Sequence, residues 1–320
     1  MKRQHNAHKP SLPAASRGAA LVLCVLAACG RPALAADPQR PDERGTGSFP
    51  AIKEEVASLP DHVLYRPADL RALGHQKLGV LAWGNGGCID DGASSRFHLL
   101  EIASHGYLVI ASGRIYSGPG AHVPPQRPAP PSGQFPPQAT QAIQMTQAVD
   151  WALAENARSD SPLFGRIDPQ QIAYSGWSCG GMQALQVARD PRVRTLIIHN
   201  SGIPDPFPPG MPKMNLDKRT LLTLHTPILY VLGGEKDVAY RIGMEDFRLI
   251  SHVPAAVANL PVGHEGTFQE PHGGEAAAVA VRWLNWQLRG DAEAAKTFVG
   301  EACGLCRDPR WTLERRQFPD

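Results

Sequence analysis

Aromatic residues are scarce, at 7% of the 320 residues, and charged ones make up only 19%. Lys and Arg nearly balance Asp and Glu, for a net charge of +2, and no dense basic run lies outside the N-terminus. That balance excludes a nucleic-acid surface built on electrostatics. There is no HExxH motif and no clustered His/Asp ligand set, so nothing points to a metal-dependent hydrolase. No internal repeat is visible. The most apolar stretch, Gly18 to Ala28, is too short to span a bilayer stably. What the chain has in quantity is apolar residues, 42%, enough for a large core, together with 31 Gly and 30 Pro that imply long, shaped loops.

The first forty residues stand apart from the rest. Lys2, Arg3, Lys9 and Arg17 form a positive region ahead of the apolar stretch, and Ala33-Leu34-Ala35 offers an A-x-A cleavage site. This is the pattern of a signal peptide over residues 1–35. A second reading of the same leader is a lipobox, Leu26-Ala27-Ala28-Cys29, which would leave a lipid anchor at Cys29. Both readings export the chain, to the periplasm or beyond in the first case and as an outer-membrane lipoprotein in the second. Residues 36–60 read as an N-terminal linker and 61–320 as one catalytic domain. Cysteine usage agrees with export: of six Cys, two lie in the leader, leaving Cys88, Cys179, Cys303 and Cys306, an even number.

Strand and helix signals alternate from about residue 62 to residue 290. Apolar runs at Leu78–Trp83, Tyr107–Ala111, Gln171–Tyr174, Thr195–His199, Ile228–Leu232 and Ala255–Leu260 read as strands. Helical spacing appears at Ser95–His105, Thr140–Glu155, Gly180–Arg189 and Glu275–Leu288. The Pro-rich stretches at 113–138 and 203–225 read as surface connections. This alternation predicts an α/β fold with a mostly parallel central sheet and helices on both faces.

Gly176-Trp177-Ser178-Cys179-Gly180 matches G-x-S-x-G between an apolar strand and a helix, where a sharp turn lifts a serine hydroxyl above the strand ends. A serine needs a base to take its proton and a carboxylate to orient that base. In chain order these should follow as acid, then histidine. Asp237 lies in Gly233-Gly234-Glu235-Lys236-Asp237 just past a strand, with Glu235 as its rival. His264 follows the next strand between Gly263 and Glu265, with His272 as the alternative; His252 precedes that strand and reads as a surface histidine. Two backbone amides must meet the oxygen that becomes negative. Cys179 follows the serine, and Asn85 lies in the Gly84-Asn85-Gly86-Gly87 loop after the first strand; these two are the expected donors. Trp177 and Trp83 flank the two loops, as pocket lining or as core, and Trp177 is the candidate substrate contact.

These motifs, WGNGGC at 83–88, GWSCGG at 176–181, GGEKD at 233–237 and GHEG at 263–266, resemble the α/β-hydrolase superfamily. The nearest branch holds dienelactone hydrolases, chlorophyllases and polyester-cleaving cutinases, and the resemblance spans about residues 60–290. It implies the α/β-hydrolase fold, ester hydrolysis on a small-molecule or polymer ester without a cofactor, and the triad Ser178, Asp237, His264. The chain departs in its cysteine after the serine and in the Pro-rich 113–138 loop. A serine peptidase of the same fold is the second reading, set behind because no propeller or gating region precedes the hydrolase segment. A non-catalytic surface-binding protein that keeps the fold is the third. In this fold the loop with Asn85 and the turn with Cys179 must approach one oxygen together. A Cys88–Cys179 disulfide is therefore expected, with Cys303–Cys306 as a structural staple; two buried free thiols are the alternative to the first pair.

Overall fold

Six consecutive apolar runs become the parallel strands of a nine-stranded sheet. The computed structural model describes Met1 and residues 40–126, 137–209, 211 and 214–318. The chain divides into two units, Met1–Ala33 and Leu34–Asp320, and every element described below belongs to the second. The expected leader beyond Met1, with Cys24, Cys29 and the Ala33–Ala35 site, lies outside the described residues. So do residues 127–136 of the Pro-rich loop.

The strands are β1 (Ala51–Glu54), β2 (His62–Pro67), β3 (Leu78–Gly84), β4 (Tyr107–Ser112), β5 (Ile167–Trp177), β6 (Thr195–His199), β7 (Ile228–Leu232), β8 (Ala255–Asn259) and β9 (Thr312–Arg316). Their order across the sheet is β1-β2-β4-β3-β5-β6-β7-β8-β9. The β4-β3-β5-β6-β7-β8 block is parallel; β2 at one side and β9 at the other run against it, and β1 pairs antiparallel with β2 at the edge. The main helices are α1 (Arg96–Ser104), α2 (Ala142–Ala157), α3 (Cys179–Gln186), α4 (Tyr240–Leu249) and α5 (Gly274–Arg289), followed by the short α6 (Ala292–Ala295) and α7 (Gly304–Arg307). The structure is thus α/β with a mostly parallel sheet.

Helices cover both faces, which explains why the central strands read as continuous apolar runs rather than alternating ones. In β3, Val80 and Ala82 join the core made with Met145 and Val149 of α2 and Leu185 of α3. Their neighbours Leu81 and Trp83 point the other way, into the core made with Leu99 of α1 and Trp283 and Leu284 of α5. The same alternation repeats along β6, where Leu196 and Ile198 face the first core and Ile197 the second. α5 presents Ala276, Ala280, Trp283 and Leu284 as one buried stripe and ends at Gly290, whose φ of 67° closes the last turn as side-chain-bearing residues rarely do.

The expected linker at 36–60 is corrected over its described part. Residues 51–54 form β1 against β2. Upstream, Thr46 N donates to Glu101 Oε2 at 2.8 Å on α1, Arg40 Nη1 donates to the Gln269 carbonyl at 2.8 Å, and Arg96 pairs with Asp42. The stretch is polar because it binds through charges and backbone to residues 50 and more positions away, a signal that composition does not carry. β9 also had no expectation attached: Thr312–Arg316 (TLERR) is an edge strand with one neighbour, and it has no apolar periodicity. Among the described residues no helix is long and apolar enough to cross a membrane.

Candidate active site

Four loops leave the carboxyl ends of β3, β5, β7 and β8 on one side of the sheet, where groups from parallel strands converge. The sharpest is the turn from β5 into α3. Ser178 occupies it with φ of 53°, in the left-handed region that side chains seldom adopt. Two bonds hold it there: Ser178 N donates to the His199 carbonyl at 3.0 Å, and Ser201 Oγ donates to the Ser178 carbonyl at 2.6 Å. Only glycine fits at 180, since a Cβ there would run into the backbone of Gly84 and Asn85. The first turn of α3 is thereby pressed against the end of β3.

Asp237 comes from the turn after β7, closed by its amide donating to Gly234 O at 2.8 Å, and its side chain is fully buried. Oδ1 receives His264 Nδ1 at 2.6 Å and the Ala239 amide at 2.9 Å. Oδ2 receives Asn200 Nδ2 at 3.0 Å and the Gly233 amide at 3.2 Å. Burial alone would push this carboxyl up. The bond from His264 and the two amides outweigh it and hold Asp237 below the ordinary carboxylate range.

His264 sits on the loop after β8, which is tied to the β7 turn by Gly263 N donating to the Gly233 carbonyl at 2.8 Å. Its Nε2 lies 3.0 Å from Ser178 Oγ. With Nδ1–H given to Asp237, Nε2 is left as an acceptor for the serine hydroxyl, a tautomer assigned from the hydrogen-bond network. The arrangement can therefore draw a proton from Ser178 onto an imidazole whose far side already rests on a carboxylate.

The rivals do not join this set. Glu235 is exposed, and His272 is bound to Glu43 through its backbone amide, with its ring near Glu43 and Glu101. His252 Nε2 lies against the Leu224 carbonyl.

Asn85 lies against the first turn of α3, which begins at Cys179. The position a Cβ would take on Gly180 is 2.6 Å from Asn85 N. Among the described residues no turn or loop carbonyl accepts the amide of either Asn85 or Cys179. The Asn85 side chain is turned into its own loop, with Nδ2 donating to Ile89 O at 2.9 Å and Ser112 O at 2.7 Å. Cys88 and Cys179 lie at disulfide distance with Cα atoms 5.3 Å apart, and Cys303 and Cys306 do so at 4.9 Å.

The two tryptophans part company. Trp83 is fully buried against His98, His199 and Phe268, so it is core and not pocket lining. Trp177 stays half-buried beside the serine, its indole donating to the His264 carbonyl at 2.9 Å. The sequence reading passed over Asn200 and Ser201, which follow β6 in the run His-Asn-Ser-Gly. The one available signal was a polar pair placed at the carboxyl end of a buried parallel strand.

No protein-family model matches this chain, and no curated protein matches it.

Proposed function

We propose that this protein is an exported serine hydrolase of the α/β-hydrolase type that cleaves carboxylic esters through an acyl-serine intermediate. The observation that carries the reading is the unbroken contact from Ser178 Oγ through His264 to buried Asp237, at 3.0 and 2.6 Å. Ser178 Oγ attacks the acyl carbon while its proton passes to His264 Nε2. The carbonyl oxygen becomes an oxyanion, received by the amides of Asn85 and Cys179. Collapse breaks the ester bond, and His264 returns the proton to the leaving alcohol. Water, deprotonated by His264, then attacks the acyl-serine and releases the acid and free Ser178. Asp237 keeps the imidazole oriented and stabilises its charged form throughout. The mechanism draws on protein groups and water, and it suits small-molecule or polymer esters.

The test is covalent labelling with a fluorophosphonate, with the modified residue mapped by mass spectrometry. Hydrolysis of p-nitrophenyl esters of increasing acyl length is measured in parallel. Label on Ser178 together with turnover supports the reading. A folded protein with neither is a binding protein on this scaffold.

A further inference from the structure

We infer that Asn200 is a positioning residue of the acid–base pair; the inference rests on the acyl-serine reading of the site. The strand end His199-Asn200-Ser201 contacts Ser178, Asp237 and the residue before His264. The His199 carbonyl accepts Ser178 N, and Ser201 Oγ donates to Ser178 O. Between them, Asn200 Nδ2 reaches Asp237 Oδ2 at 3.0 Å and the carbonyl of Gly263, the residue before His264, also at 3.0 Å. One amide group therefore sets the spacing between the loop with the acid and the loop with the base.

The placement is built, not incidental. Asn200 is buried and its own amide donates to Val231 O of β7 at 2.8 Å. Its φ is 45°, a left-handed conformation that Asn tolerates better than most residues. The Gly233 position is crowded by the same group: a Cβ there would meet Asn200 Nδ2 and run into the Gly263 carbonyl. A carboxylate rotates easily about its terminal bond, and Asp237 serves His264 only while Oδ1 faces Nδ1. On the opposite oxygen the Gly233 amide is the longer contact at 3.2 Å, so the Asn200 amide is the closer stop against that rotation.

The test compares Asn200→Gly and Asn200→Asp, both compatible with a positive φ, so that loss of the amide is separated from backbone strain. Asn200→Gly should lower kcat by about ten- to a hundredfold with KM nearly unchanged, the size expected when a reacting group is held loosely. Asn200→Asp places a second carboxyl against Asp237. The added negative charge favours the protonated imidazole, so the acid limb of the kcat/KM profile moves to higher pH. NMR titration of the His264 ring, without substrate, should show the same upward move in Asn200→Asp. Variants whose turnover falls only with the folded fraction, and whose pH profile and ring titration match the parent, would overturn the inference. If the parent itself neither labels at Ser178 nor turns over esters, the acyl-serine reading has failed. The ring titration still decides whether Asn200 positions the His264–Asp237 pair.

Discussion

The indole of Trp177 donates to the carbonyl oxygen of His264 at 2.9 Å, so the residue before Ser178 holds the loop that carries His264. The ring also lies over Gly86, where a Cβ would run into it, and packs against Phe268 at a centroid distance of 5.3 Å. It thereby links the Ser178 turn to both neighbouring loops. Trp177→Phe keeps an aromatic ring there and removes the donor together with part of the ring that packs on Gly86. A hydrogen bond of this kind contributes about 1 kcal/mol, and if that is lost in the transition state kcat should fall about fivefold. Steady-state kinetics against the parent measure it. A change in KM alone would make Trp177 a substrate contact instead.

Ser178→Ala should abolish ester turnover, by several orders of magnitude, while leaving the denaturation midpoint nearly unmoved, because the hydroxyl's contact is to His264 and not to the core. Retention of activity within about tenfold would remove the serine from the chemistry.

Asp237→Asn and His264→Ala should each cripple acylation, whereas Glu235→Gln and His272→Ala should be mild. Glu235 is exposed, and the His272 ring lies beside Glu43 and Glu101, away from the serine. Rates of fluorophosphonate labelling separate the two classes. A dead Glu235→Gln with an active Asp237→Asn would move the acid.

The parts of the fold that sequence exposes are those with one dominant local cause. The runs at Thr195–His199 and Ile228–Leu232 are the strands to the residue, because burial on both faces makes them mostly apolar along their whole length. Ser178, Asp237 and His264 each follow such a strand within a short Gly-bearing turn, so their order along the chain was enough to bring them together. Asn200 was not legible because its role depends on Asp237 and Gly263, 37 and 63 residues away. The docking of residues 40–47 was hidden for the same reason: Thr46 means little until Glu101 is beside it. α4 is a different case. Its buried Met244 and Phe247 are interrupted by Gly243 and Asp246, the latter buried to meet Lys218, Tyr230 and the Ile203 amide.

Cys88 links the loop after β3 to its surroundings twice. Its sulfur lies at bonding distance from that of Cys179, and its carbonyl accepts the amides of Ala139 and Thr140 at 2.9 and 3.0 Å. A bridge between positions 91 residues apart removes much unfolded-state freedom, about 4.6 kcal/mol in the chain-entropy model. Mass mapping of the non-reduced protein should recover the Cys88–Cys179 pair. Cys88→Ser should then lower thermal stability and turnover together, while Ser178 still accepts a fluorophosphonate. Free thiols at both positions, or another pairing, would exclude the bridge.

His98 and His199 predict how the fold responds to acid. Both are fully buried, with ring centroids 5.0 Å apart, packed among Trp83 and Phe268. None of their four ring nitrogens has a hydrogen-bond partner among the described residues. Burial pushes His199 down to about 3, and burial together with the neighbouring His199 holds His98 well below the ordinary histidine range. The folded protein thus keeps both rings neutral where an unfolded chain, near 6.5, would take up protons. Stability rises with pH wherever the unfolded state binds more protons, so the contribution of His199 falls as pH drops below about 6.5 and continues falling toward about 3, and that of His98 falls in the same direction. A histidine that stays neutral in the folded state while the unfolded chain binds a proton lowers the folding equilibrium about tenfold per pH unit. His199→Phe keeps a flat ring and removes both the proton site and two unsatisfied nitrogens. Urea denaturation should therefore find the variant close to the parent at neutral pH and increasingly more stable than it as pH is lowered toward 4. His98→Phe should behave in the same direction. Stability curves for parent and variants that stay parallel from neutral pH to 4 would show that the two histidines are not what the acid acts on.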